Sequence, residues 1–310
     1  VSDLSPGDVF RQVAAALPEQ CRENLLVVGS LAAGYHFFRD DPERAVRTKD
    51  VDCVLEPFHV AADAGQKIAN QLINLGWHHR KTGDFCAAGT SETPDEHLPA
   101  IRLVPPGTNP ESSAQWFVEL LSVPRDPTVP GRTFTRVVTE HGHYGLPSFQ
   151  FLAVTAFEAI HVEEIGIRYA RPEMMALANL MAHPRITPDP IKGGVAGREI
   201  KRCNKDLGRV LALAKLAADD DYRDWARLWE RALKQCYQDQ WSRCANDVGK
   251  GLRELLDSEA DLEEAWHTCD MGLLSGTGVS IGALKAVGNR LVADAVEWLE
   301  ARGNETGEIR

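Results

Sequence analysis

Apolar and polar positions along this chain follow two different periods. "GDVFRQVAAAL" (7–17) sets its apolar residues at helical spacing, and "NLLVVG" (24–29) is a short unbroken apolar run ended by glycine, as in a buried strand. "SLAAGYHFF" (30–38) returns to a helical pattern. "VRTKDVDCVLE" (46–56) is a run of β-formers, and "HVAADAGQKIANQLINLG" (59–76) is helical again. Short strands are expected near 77–86 and in "AIRLVPP" (100–106), "WFVELLSV" (116–123) and "TFTRVVTEH" (133–141). The polar stretches "SETPDEHLP" and "DPTVPGR" between them read as loops. After about residue 145 every periodic segment is helical: 171–182, which opens with proline in its first turn, then 197–218, 222–256, 259–268 and 280–301. The tail "GNETGEIR" reads as a frayed end. The pattern predicts an α+β protein, with a mixed sheet flanked by helices over 1–145 and an all-helical domain over 146–310.

Composition narrows the class. The chain has 310 residues, 44% of them hydrophobic and 25% charged, which is ordinary for a globular protein. No apolar run approaches the ~18 residues of a membrane span, so no membrane partner is expected. The opening "VSDLSPGDVF" lacks a basic stretch followed by an apolar one, so no secretory leader is expected. The seven cysteines include no C-x-x-C pair and predict reduced thiols in a cytoplasmic protein. "HGH" (141–143) has no companion cluster, and a zinc site is not expected. A net charge of −11 argues against broad binding to nucleic acid but leaves room for a local basic surface.

Candidate chemistry begins with Asp50 and Asp52. Strand side chains alternate, so both carboxylates face one way, about 6–7 Å apart along the strand. Unpaired, they repel each other and lose hydration. Something positive belongs between them: Arg47 and Lys49 at the strand end, or a metal ion. Just upstream, a strand ends at Gly29, and Ser30 opens a helix of small residues. Such a junction aims backbone N–H groups and the positive helix end at an anion, and glycine permits close approach. Glu119 in "FVELLS" is a third carboxylate on an otherwise apolar strand.

Strand–Gly29–Ser30–helix, a strand carrying Asp50-x-Asp52 and a later strand carrying Glu119 together resemble the nucleotidyltransferase superfamily related to DNA polymerase beta. Within it, "RTKDVD" (Arg47–Asp52) and the pair Lys205–Asp206 are similar to bacterial nucleotidyltransferase-fold proteins of the AbiEii abortive-infection toxin type. The resemblance covers roughly residues 20–215. It implies a catalytic domain followed by a helical domain closing the nucleotide cleft. It also implies Mg²⁺-dependent transfer of a nucleoside monophosphate from a triphosphate to a hydroxyl on an RNA end, a protein or a small molecule. Asp50, Asp52 and Glu119 would hold two Mg²⁺ ions, which favour hard oxygen ligands and neutralise the transferring phosphates. Glu119 would also serve as base toward the acceptor hydroxyl. Gly29, Ser30, Lys49, Arg102 and Lys205 are expected to contact the nucleotide. A toxin–antitoxin setting and a protein partner follow from the same likeness.

The chain departs from that pattern in three places. The stretch from Ser30 to Asp50 is longer than usual, the third carboxylate is Glu rather than the commoner Asp, and Asn179 stands where relatives often carry Lys. A relative that keeps the fold as a non-catalytic binding or regulatory module is the alternative.

The segment 197–218 pairs an apolar stripe (Ile200, Cys203, Leu207, Val210, Leu211, Ala214) with a basic face of Arg198, Lys201, Arg202, Lys205 and Arg209. That face is either solvated, with Asp206 pairing to Arg202 and Arg209, or a cradle for phosphate. Trp225 and Trp229, four apart on one helix face, read as core.

Overall fold

The structure, a computed structural model, describes residues 2–41, 44–81, 87–109, 111, 116–183, 189–191, 197–217 and 221–307. It divides into two compact units, Val1–Arg171 and Pro172–Arg310. The architecture is α+β: a mixed seven-stranded sheet flanked by helices, followed by a helical C-terminal part.

The first unit runs β1 (Ser2–Leu4), α1 (Pro6–Ala16), β2 (Leu25–Val28), α2 (Gly29–Phe38), β3 (Val46–Thr48), β4 (Asp50–Leu55) and α3 (Phe58–Asn74). Then follow β5 (His78–His79), β6 (Arg102–Val104), β7 (Phe117–Ser122), β8 (Arg132–Thr139), β9 (Gly142–Phe149), α4 (Leu152–Thr155), β10 (Ile160–Val162) and β11 (Ile167–Tyr169). The sheet order is β10-β11-β2-β4-β7-β6-β5, with β4 antiparallel to β2 and parallel to β7. That central position explains the apolar end of β4: Cys53, Val54 and Leu55 are fully enclosed. Strands buried on both faces read as continuous apolar runs, as β2 does. Helix α3 packs on the Leu55 face, where Gly65 lets the helix approach: a Cβ there would stand 3.2 Å from Leu55 and 3.3 Å from Leu146. Asp50 and Asp52 are an odd number of residues from Leu55, so they face the other way. Phe10, Tyr35 and Tyr169 form an aromatic cluster joining α1, α2 and β11, with Phe10 stacked on Tyr35 at 4.2 Å.

The 145/146 boundary expected from the pattern falls within β9, whereas the contacts divide the chain after Arg171. The intervening β10–β11 hairpin returns to the sheet, and β11 pairs in parallel with β2. Each of these strands is three residues long, too short to show a period. Near 77–86, the strand β5 is confined to His78–His79, and residues 82–86, with Cys86 among them, lie outside the described residues.

The second unit contains α5 (Pro172–Ala182), α6 (Arg202–Leu216), α7 (Tyr222–Tyr237), α8 (Trp241–Asp247), α9 (Lys250–Asp257), α10 (Glu259–Asp270), α11 (Ile281–Leu291) and α12 (Glu297–Gly307). Helix α6 is central, and its stripe Cys203, Leu207, Val210, Leu211 and Ala214 is buried as its spacing predicts. It starts at Arg202 rather than near 197, because Ile200 and Lys201 are extended: Ile191 N–H donates to Ile200 O, and Pro190 bridges Lys201. Trp225 and Trp229 are core residues with ring centroids 6.1 Å apart, and Trp229 Nε1 donates to Glu173 O at 2.9 Å. The tail expected to fray is helical through Gly307, and residues 308–310 lie outside the described residues. The six cysteines among the described residues are free thiols. No helix among the described residues is long and apolar enough to cross a membrane.

Candidate functional site

Strand register brings the three carboxylates to one face. Val28 pairs with Asp52, Asp52 with Glu119, and Glu119 with Arg102. Directly paired residues share a sheet face, so Asp52, Glu119 and Arg102 form a row across β4, β7 and β6. The Arg80 N–H donates to Arg102 O at 2.9 Å, which extends the row by one strand. Asp50 pairs with Phe117 one step along the same face.

At the β2 end of this row, α2 begins directly after the strand. Gly29 has φ +76°, a conformation that side chains with a Cβ rarely adopt. A Cβ on Gly29 would stand 2.9 Å from Asp52 Oδ2, so the space a side chain would take is occupied by the carboxylate. Ser30 follows, half-buried, in the first turn. The start of a helix presents unsatisfied N–H groups and partial positive charge, which favour an anion. Asp50 is oriented separately: Thr48 Oγ1 donates to its Oδ1 at 2.8 Å. Both aspartates and Lys49 are half-buried.

At the other end, Arg102 Nη2 donates to Glu119 Oε1 at 3.0 Å. Glu119 is 9% exposed, so this ion pair neutralises a nearly enclosed carboxylate. Asp52 thus lies against Gly29 at the β2 side, and Glu119 meets Arg102 at the β6 side. Among the described residues, no three His, Cys, Asp or Glu side chains gather closely enough to hold an ion. Asp50 and Asp52 are hard oxygen donors, the ligand type that Mg²⁺ takes. Glu119 meets Arg102 through Oε1.

Lys205 lies on α6 of the second unit, and Asp206 there pairs with Arg209 at 3.7 Å. Of the basic face, Arg198 pairs with Glu263 at 3.2 Å and Lys201 with Asp261 at 2.6 Å. Asn179 Nδ2 donates to Met175 O of its own helix at 2.8 Å. In "HGH", His143 lies 3.1 Å from Arg136 Nη1 within the β8–β9 hairpin. Sequence reasoning missed Arg80 and Phe117. Arg80 lies over the Phe117 ring, its guanidinium carbon 4.2 Å from the centroid. Nothing local to "HHRK" marks Arg80, because its place depends on pairing with a strand more than twenty residues away.

No protein-family model matches the chain, and no curated protein matches it. Among solved structures, the crystal structure of an antigenic nucleotidyltransferase-like protein from Paracoccidioides brasiliensis is similar, with 16% identity, 85% of this chain and 94% of that chain covered, and a TM-score of 0.37. A likeness that distant carries no argument about activity, so the residues of this chain must carry the functional reading.

Proposed function

We propose that this protein is a nucleotidyltransferase of the DNA polymerase beta-related superfamily, transferring a nucleoside monophosphate from a triphosphate to a hydroxyl. The observation that supports the reading is the contact of Asp52 with Gly29 at the start of α2. Gly29 and Ser30 would hold the triphosphate with Lys49 near it, while Arg102 stands on the far side of Glu119. Mg²⁺ bound by Asp50 and Asp52 would neutralise phosphate charge. Glu119 would take the acceptor's hydroxyl proton. The freed oxygen then attacks the α-phosphorus, and pyrophosphate leaves with the electrons of the broken P–O bond. The likeness of "RTKDVD" and Lys205–Asp206 to AbiEii-type proteins favours an RNA or protein acceptor and a toxin–antitoxin setting.

The Arg102–Glu119 pair favours a second reading, in which the fold binds nucleotide without transferring it. Glu119 already accepts from Arg102 through Oε1, which leaves only Oε2 to meet an acceptor hydroxyl. Two measurements separate the readings. Mg²⁺-dependent thermal stabilisation by a triphosphate is expected under both, and its absence with every triphosphate removes both. Incubation with labelled triphosphate, Mg²⁺ and total cellular RNA or protein should label one fraction if the protein is a transferase. No label in either fraction, with triphosphate binding intact, leaves the binding module.

A further inference from the structure

Two arginines sit together on the β5–β6 side of Glu119, and the proposed transfer assigns them no role. Arg80 and Arg102 are neighbours across those strands, and both guanidiniums approach the Phe117 ring, at 4.2 and 5.8 Å. The ring gives Arg80 a flat support, as cations over aromatic faces have. Among the described residues, one carboxylate stands within ion-pair distance of the two, Glu119, and it meets Arg102. The Nε atoms of both arginines are enclosed and reach no hydrogen-bond acceptor among the described residues.

We propose that Arg80 and Arg102 form a phosphate-binding subsite, and that it takes a phosphate of the acceptor, which is therefore a phosphorylated alcohol. The role assigned to that phosphate rests on the nucleotidyltransferase reading; the binding itself does not. Glu119 meets Arg102 at ion-pair distance, which leaves the Arg80 guanidinium for another anion. Forked guanidinium donors match phosphate oxygens in pairs. Burial, with Arg102 beside it, holds the Arg80 pKa below arginine's usual value, while Glu119 and Asp50 oppose that shift. A bound anion relieves the same repulsion. Position separates this subsite from the triphosphate: Gly29 and Asp52 lie toward β2, Arg80 and Arg102 toward β5, with Glu119 between them. An acceptor phosphate held there would bring a neighbouring hydroxyl beside Glu119.

The test is titration of the full chain with inorganic phosphate, without Mg²⁺ or nucleotide, followed by ³¹P line broadening. Saturable binding is expected in the wild type, about tenfold or more weaker in Arg80→Gln and Arg102→Gln, as loss of a charge-assisted hydrogen bond implies. Glu119→Gln removes the competing carboxylate and should bind phosphate more tightly, a gain that damaged folding does not produce. Absence of saturable binding, equal affinity in wild type and Arg80→Gln, or weaker binding in folded Glu119→Gln would each overturn the subsite. A short oligoribonucleotide with a free 3′-hydroxyl and ribose 5-phosphate then compete for bound phosphate. Displacement by one of them supports the acceptor role and names its source; displacement by neither overturns it. Failure of the nucleotidyltransferase reading registers separately, as loss of Mg²⁺-dependent triphosphate binding.

Discussion

Asp52 occupies the space that a side chain on Gly29 would fill, its Oδ2 lying 2.9 Å from the position of the missing Cβ. Gly29 thus meets two demands at once, a positive φ and a carboxylate at contact distance. Gly29→Ala should lower stability by about 1–3 kcal/mol, from backbone strain and the clash together. Asp52→Ala in the same chain should recover part of that loss by removing the clash and leaving the strain. Urea unfolding of both single variants and the double variant checks this. Strictly additive losses would show that the carboxylate gives way without cost.

Asp50→Asn with Asp52→Asn should abolish any nucleotide transfer and leave the fold intact. Asn has the shape of Asp and keeps a side-chain oxygen to accept from Thr48, so the double variant should stay folded. Transfer rates and thermal melts on the same preparation decide the point. Undiminished transfer by the folded variant would remove these residues from the chemistry.

Arg102→Ala leaves Glu119 nearly enclosed without its partner. Arg102 itself is 35% exposed in its side chain, so the loss should be near the lower range for broken buried pairs, about 1–3 kcal/mol. Arg102→Met together with Glu119→Leu should return most of it, since an apolar pair needs no neutralisation. Denaturant unfolding of wild type, Arg102→Met, Glu119→Leu and the double variant measures the coupling, and a value near zero would mark the pair as incidental.

His79 stacks on Tyr144 with ring centroids 4.3 Å apart, and burial, with His141 nearby, pushes its pKa down to about 4. In the unfolded chain it titrates near 6.5. Between those values the unfolded state binds a proton that the folded state refuses, so stability falls on acidification through this window, by about 3 kcal/mol at most. His79→Phe keeps the stacking and removes the titration. Its melting temperature should fall less than that of the wild type between pH 7 and pH 4. Parallel curves for the two proteins would rule His79 out as the source.

Much of this arrangement is legible from local sequence. The Gly29–Ser30 junction, the Asp50-x-Asp52 strand and the lone Glu119 are each readable within ten residues, because strand alternation and helix starts are local geometry. The stripe of α6 and the core placement of Trp225 and Trp229 follow from helical spacing for the same reason. The unit boundary was not legible. Residues 146–171 rejoin the sheet through β11, whose partner β2 lies far back in the chain.

The sequence by itself determined which residue types were available and which face of its own strand or helix each would take, since those depend on periods of two and 3.6 residues. It also determined that Gly29 could bring backbone close to an anion. Only the tertiary structure decided which faces meet. It set Glu119 between Asp52 and Arg102 and brought Arg80 onto Phe117. Register between strands distant in the chain is fixed by the joint burial of all their apolar residues, and a one-residue slip would move Glu119 to the other face. That information belongs to the whole sheet and to no segment of it.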